Sequence, residues 1–358
     1  MKKSLAWVLS AALVLSLAGC SSGNPTPADS SAPQGGAEPT TAPGETYTIK
    51  MALTQGDVAR ADSAEVTWSE RFEEEVEANS NGRIQVELYP SGQLGSADES
   101  VTGLLNNSLE MTCVNISILN NIYPDTMVLS CPALFANEAE CDAVLSGEWG
   151  QNFFDEMAAD SGIRVLSAFC NGMRCFTTTK TPLTTVDTAK NVTFRVMQSE
   201  VCQKMVEAIG ANPVPMAGSE MYTALQNGTV DGQENPPVNI LNDKTYEVQK
   251  YMVMDKHIAS IVTFDISETC WQSLPEDLQK VVADAAALVT KEAAAVCANL
   301  NEKGVDQLRD YGMEVYEPTD AELEDWHSAM RGPCVEFLTQ QLGGDVIDGL
   351  LAAIEAQK

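Results

Sequence analysis

The chain has 358 residues, 44% of them apolar and 20% charged, enough for two ordinary domains with a sizeable core and too apolar for a disordered tail. Fifty-one acidic against 21 basic side chains give a formal charge of -30, which repels nucleic-acid phosphates and argues against a polynucleotide partner. The cations are sparse: there are eight arginines, and no Lys or Arg lies between Arg83 and Arg164, so an arginine inside an apolar segment needs a reason to be there.

At the amino end, Lys2 and Lys3 precede an apolar run from Leu5 to Leu17, too short to span a bilayer by itself, which ends in Ala18-Gly19-Cys20. This resembles a bacterial lipoprotein signal. The resemblance implies cleavage before Cys20, lipidation of its sulfur and a protein tethered to the outer face of the cytoplasmic membrane; an uncleaved anchor helix is the alternative. Residues 1–19 are thus expected to be a signal peptide and 20–46 a lipidated cysteine with a flexible linker, since Ser, Pro, Gly, Ala and Thr dominate there and cannot build a core. No later run of eighteen apolar residues follows. With Cys20 lipidated, nine cysteines remain, an odd number without framework spacing, which reads as buried free thiols more readily than as a disulfide scaffold. Cys170 and Cys175, flanking Arg174, are the pair to test first for oxidation.

From Tyr47 the pattern is globular. Tyr47, Ile49, Met51 and Leu53 alternate as in a half-buried strand; Trp68, Phe72 and Val76 recur every fourth residue as on a helix that stops at Asn81-Gly82; Ile84, Val86 and Leu88 alternate again. Strand, helix and strand at this spacing read as a βαβ unit. The theme continues with a helix near Ala97 to Leu109, a strand from Met111 to Val114, a helix near Glu138 to Ala159 and a strand from Ile163 to Phe169. A second series is expected from Arg174: a strand at Val192 to Val196, a helix from Glu200 to Ile209, a helix capped by Ser219 and ending at Gly228, and strands at Tyr251 to Met254 and Ile261 to Ile266. After Pro275 comes a long helix that reaches Leu300 or beyond. Two α/β series predict a bilobed protein with a crevice between its lobes, a usual place for a small ligand.

Signatures of catalysis are missing: there is no G-x-S-x-G, phosphate-binding G-x-x-x-x-G-K-[ST], G-x-G-x-x-G, H-E-x-x-H or C-x-x-C. His257 and His327 are the only histidines, and neither has neighbours in sequence that suggest a metal or catalytic site, so both are expected to be structural or surface residues. No cofactor, metal or catalytic residue is assigned. Two arginines stand out. Arg174 follows the apolar run from Val165 to Phe169, and Arg195 lies between Phe194 and Val196; each must pair with an internal acid or meet an anionic ligand, and the local sequence slightly favours the ion pair for both.

The run Leu88-Tyr89-Pro90-Ser91-Gly92-Gln93-Leu94-Gly95 resembles a turn of the dicarboxylate-binding (DctP-type) solute-binding proteins of TRAP transporters. Asn171-Gly172-Met173-Arg174, Phe194-Arg195-Val196, the stretch from Gly210 to Met216 and that from Ala224 to Gln233-Glu234-Asn235-Pro236 resemble further blocks of the family in the family's order. Tyr246 to Tyr251 and Leu274 to Lys280 extend the likeness, which covers the chain from about Tyr47 onward.

The resemblance implies two α/β lobes, a long helix spanning both, closure over one small organic acid, and delivery of that acid to a membrane permease driven by an ion gradient. It places residues 47–171 and 261–300 in one domain and 172–260 and 301–358 in the other, in a monomer. By the same likeness Arg195 is the carboxylate anchor, Arg174 a second arginine of the pocket and Asn235 an amide facing the ligand, with Asn115 and Gln198 also lining it. Arg174 holding Glu220 or another acid, Asn235 capping the turn before Pro236, and Asn115 and Gln198 satisfying backbone groups are the corresponding structural alternatives. Asn191 stands where the family commonly has glycine, and Gly218 where a bulky aromatic often precedes Ser219-Glu220; the latter change could enlarge the pocket beyond a C4-dicarboxylate. A ligand-binding sensor subunit and an extracytoplasmic enzyme acting on a small acid are the competing functions.

Overall fold

The computed structural model describes residues 45–56 and 58–357; the signal segment and Cys20 lie outside the described residues. Strand β1 (Tyr47–Leu53), helix α1 (Ala64–Asn79) and strand β2 (Ile84–Tyr89) form the expected βαβ unit, with β1 and β2 parallel. The Ser63 side chain accepts the Val66 amide at the start of α1, and Asn81 and Gly82, both with positive φ, turn the chain out of it. Trp68, Phe72 and Val76 are fully buried, and Trp68 stacks between Phe72 and Phe264. Helix α2 (Ala97–Leu105) opens on a reciprocal Ser96 and Glu99 cap, and strand β3 (Met111–Asn115) adds in parallel to β1.

The single helix expected near 138–159 is two, α3 (Glu138–Ser146) and α4 (Glu148–Ser161), because Gly147 is extended at the junction. Gly150 lets α4 pack back on α3: a Cβ there would lie 2.1 Å from the Leu145 carbonyl oxygen.

Strand β4 (Ile163–Thr178) is longer than the apolar run suggests and carries Arg174 within it, so the second α/β series does not start at that arginine. It continues because its register shifts between Cys170 and Met173, a bulge at Asn171-Gly172 that re-aims the strand. Gly172 has φ +116, and a Cβ on it would be 2.6 Å from Asn301 Nδ2.

Next come β5 (Thr193–Val196), α5 (Glu200–Ala208), β6 (Asn212–Pro215), α6 (Gly218–Gln226), β7 (Gly232–Asn235), α7 (Pro237–Asn242), β8 (Tyr251–Val253) and β9 (Ile258–Ser267). Helix α6 begins one residue before Ser219, and no side chain caps it. Asn191 takes up a left-handed backbone, φ 63, which asparagine tolerates and which explains why glycine also suits the position. The chain ends with α8 (Glu268–Ser273), α9 (Glu276–Asp310), β10 (Glu314–Tyr316), α10 (Asp320–Leu342) and α11 (Gly344–Glu355).

The main sheet runs β2-β1-β3-β9-β4-β7-β5-β6, with β8 paired to β4 and β10 to β8. Strands β4 and β9 are antiparallel to each other and join its halves: β9 pairs with β3 and β4, and the end of β4 pairs with β7 and β8. The protein is bilobed, with an α/β sheet in each lobe. Helix α9, 35 residues long, packs against α1, β4, α7 and β10 and so touches both halves. Helices α10 and α11 cover α3, α4 and α5. Among the described residues nine cysteines are free, eight of them buried, and Cys170 and Cys175 are unpaired. Among the described residues no helix is long and apolar enough to cross a membrane.

Candidate ligand-binding site

A cavity of about 580 Å³ lies at the carboxyl ends of the parallel strands β1, β3, β5 and β7, where the flanking loops diverge and leave a crevice. Residues of both halves line it: Thr54, Gln55, Glu65 and Asn115 from one, Asn235, Asn239 and Asp243 from the other. All five residues singled out in the sequence, Asn115, Arg174, Arg195, Gln198 and Asn235, belong to its wall.

The two arginines differ in their partners. Arg174 is 3% exposed and grips Glu234, itself 1% exposed: Nε donates to one carboxylate oxygen and Nη2 to the other at 2.9 Å, while Nη1 donates to Ser260 Oγ at 3.3 Å. The acid is Glu234, not Glu220. Glu234 Oε2 is also 3.4 Å from His257 Nε2, and His257 Nδ1 is 2.7 Å from Asp255 Oδ2. Charges therefore alternate through four buried residues behind the cavity. Burial pushes the Glu234 carboxyl up, but the Arg174 charge and the His257 contact outweigh it and leave it at about 2. Burial pulls His257 down, while Asp255 and then Glu234 lift it further, to about 9. The ring stacks on Phe176 with centroids 4.2 Å apart, and His327 Nε2 lies 2.7 Å from the Asp255 carbonyl oxygen. Both histidines are structural, as expected, although His257 is wholly buried.

Arg195, on β5 and 5% exposed, has no such acid. Its Nε and Nη2 donate to the Met216 carbonyl oxygen at 3.0 and 2.9 Å, and Nη1 faces Met221 Sδ at 3.8 Å. No carboxylate pairs with it among the described residues. Burial lowers its pKa to about 10, which still leaves it charged at neutral pH. Gly218 is its neighbour: a Cβ there would lie 3.8 Å from Nη2, so the space beside the guanidinium carries no side chain at that position. The local preference for an ion pair holds for Arg174 and fails for Arg195.

The amides divide similarly. Asn235 Nδ2 donates to Gln233 Oε1 at 2.7 Å. Asn115 accepts the Ser117 amide through its side-chain oxygen and donates to Ser260, so it caps a short helical turn while facing the cavity. Gln198 is exposed at the mouth, and its backbone oxygen accepts from Asn121. Glu65, Asp243 and Ser260 line the cavity but carry no local sequence signal. Glu234 had one, since it adjoins Asn235 in the Gln-Glu-Asn-Pro block. Among the described residues no group of three or more His, Cys, Asp or Glu could hold a metal ion.

A sheet in each lobe, a helix along both and a crevice lined by arginine and amides define the solute-binding class of protein. The family model described as bacterial extracellular solute-binding protein, family 7, matches residues 55–340, and the chain belongs to this family, which supplies the binding proteins of TRAP transporters. The C4-dicarboxylate-binding periplasmic protein DctP of Rhodobacter capsulatus is 30% identical over 298 residues, 83% of this chain and 89% of that protein. The sugar acid binding protein DctPAm of Advenella mimigardefordensis, solved with galactonate, is 30% identical with a TM-score of 0.83, covering 88% of this chain and 99% of that one. A TRAP periplasmic solute-binding protein of Shewanella oneidensis, solved with succinate, is 29% identical with a TM-score of 0.80, covering 86% and 99%. These relatives are binding proteins.

Proposed function

We propose that the protein captures a small organic acid outside the cytoplasmic membrane and delivers it to TRAP permease subunits, without transforming it. One observation carries this reading: Arg195, a buried guanidinium in the cavity wall, has only a carbonyl oxygen and a sulfur as partners. Such a group is costly to bury unless a charge-assisted partner meets it, and its planar fork fits both oxygens of a carboxylate. The acids named for the relatives, succinate and galactonate, all carry the group this site would hold.

Arg195 is the anchor in this reading. Arg174, fixed by Glu234, orients Ser260 and contributes positive potential; Asn235, Asn115 and Gln198 supply amides. The lobes are taken as residues 47–171 with 261–300 and 172–260 with 301–358, closing over the acid about the β4 bulge, in a monomer. The Leu17-Ala18-Gly19-Cys20 sequence supports a lipid anchor at Cys20, and a Cys20→Ala variant that kept its membrane association and mass would remove that part of the reading.

A thermal-shift screen of organic acids followed by calorimetry tests the function, because a ligand of the folded state raises the melting temperature by mass action. Two charge-assisted hydrogen bonds are worth roughly 1.5 to 3 kcal/mol each, so Arg195→Gln is expected to weaken binding by about two to four powers of ten, with no rescue by Arg195→Lys. Near-normal affinity in a folded Arg195→Gln protein would sink the assignment. Turnover of a bound acid would favour an enzyme instead.

A further inference from the structure

The charges around the cavity describe the ligand further, given Arg195 as its carboxylate anchor. Among the described residues no lysine or histidine lines this cavity, and Arg174 is already matched by Glu234, so Arg195 is the one cation there without an acid. Four carboxylates line the same space, Glu65, Asp98, Glu99 and Asp243, and among the described residues none forms an ion pair; Glu99 is engaged in the Ser96 cap. Glu65, in the first turn of α1 and 3% exposed, is held by neutral donors alone: Asn171 Nδ2 at 2.6 Å, Ser63 Oγ at 2.9 Å and Gln55 Nε2 at 3.4 Å. Asp243, just past the end of α7, is accessible on the wall and its carboxylate has no ion-pair or hydrogen-bond partner among the described residues. Enclosure by the cavity walls, and then the Glu65 charge, raise the Asp243 carboxyl to about 6 against a weaker opposing pull from Arg195 and Arg174; burial raises that of Glu65.

A second carboxylate on the ligand would come against these acids with no cation to receive it, and like charges brought together in a dry site oppose binding strongly. A ligand of opposite sign at that end relieves Glu65 and Asp243 at once. The geometry points to a zwitterionic ligand, an organic acid whose carboxylate is held at Arg195 and whose far end carries an ammonium group between Glu65 and Asp243. The cavity volume and the open space beside Gly218 leave room for a chain between the two charged ends.

Calorimetry on the purified protein with three series of acids of matched chain length, ending in an amino, a hydroxyl or a second carboxyl group, tests this. At the chain length that fits, the amino acid is expected to bind at least about tenfold tighter than either counterpart. Asp243→Asn and Glu65→Gln should weaken the amino series roughly ten- to hundredfold more than the hydroxy series. Melting curves establish that the Glu65→Gln protein is folded, and Asp243, being accessible, gives a variant that does not depend on core packing. Tightest binding by a dicarboxylate, an amino-acid preference that survives both substitutions, or binding by none of the three series overturns the proposal. Arg195→Gln separates this from the underlying reading: loss of affinity in whichever series binds supports the anchor even if the ammonium assignment fails, and retained affinity removes the anchor.

Discussion

Arg174 and Glu234 lie on the paired strands β4 and β7, both more than nine-tenths buried, and each oxygen of the carboxylate receives a donor of the guanidinium. Breaking such a pair leaves one charge buried and uncompensated, at a cost of about 3 to 5 kcal/mol. Arg174→Gln and Glu234→Gln should each lower the unfolding free energy by that order in a urea titration. Arg195→Gln strands no acid and is expected to leave stability within about 1 kcal/mol of the parent. The contrast between the two arginines, measured in the empty protein, distinguishes the structural cation from the binding one.

The same buried chain of charges sets a pH window. The folded Glu234 carboxyl, at about 2, is below its unfolded value, so its contribution is full above about 4.5 and is lost as pH falls toward 2. His257, at about 9, is above its unfolded value, so its contribution is full below about 6.5 and is lost as pH rises through 9. Their joint contribution is therefore greatest between about pH 4.5 and 6.5. His257→Gln should remove the alkaline loss, roughly 3 kcal/mol for a shift of this size. Melting temperatures of both proteins from pH 5 to 10 check it; parallel curves would show that His257 does not titrate with folding.

Asp265 works in the opposite sense. It is fully buried on β9, its Oδ2 accepts from Thr263 at 2.8 Å, its Oδ1 has no partner, and burial pushes the carboxyl up to about 8. The folded chain keeps this proton where the unfolded chain has released it, so the Asp265 contribution falls as pH rises from about 4 to 8. Asp265→Asn removes that slope and should raise the melting temperature at pH 7 by several degrees. A lower melting temperature, with the slope unchanged, would count against a neutral Asp265.

Of the nine free cysteines among the described residues, Cys270 is the one that is not buried. A thiol-reactive chromophore should therefore modify Cys270 ahead of the other eight, which react only on unfolding, although partial burial pushes the Cys270 thiol up to about 11 and slows it. Reductant should leave the melting temperature unchanged. A rise in free thiol after reduction would reveal a disulfide.

The secondary structure that the sequence displays is that written in local periodicity. Tyr47 to Leu53 and Trp68 to Val76 announce a strand and a helix because burial on one face imposes periods of two and near four. The extent of β4 was hidden, since a bulge at Asn171-Gly172 carries the strand across a polar pair that reads as its end. The site was legible in its arginines, which are rare enough to attract notice, and in the blocks shared with a family. The partner of each arginine was not legible: Glu234 is 60 residues from Arg174, and nothing next to Arg195 reports that an acid is missing. Glu65 is a further case, an acid in the first turn of a helix where the local rule explains it as favourable to the dipole, and only the tertiary fold turns it into a cavity wall.

Strands β4 and β9 each pass through the junction of the two sheet halves, and neither half is built from one continuous stretch of chain. A gene fragment that encodes a single lobe would lack strands of its own sheet, so lobes cannot be exchanged between relatives as cassettes. Diversity of ligand within this architecture must instead accumulate one wall position at a time, at places such as Gly218, Glu65 and Asp243, around a frame whose two parts are inherited together.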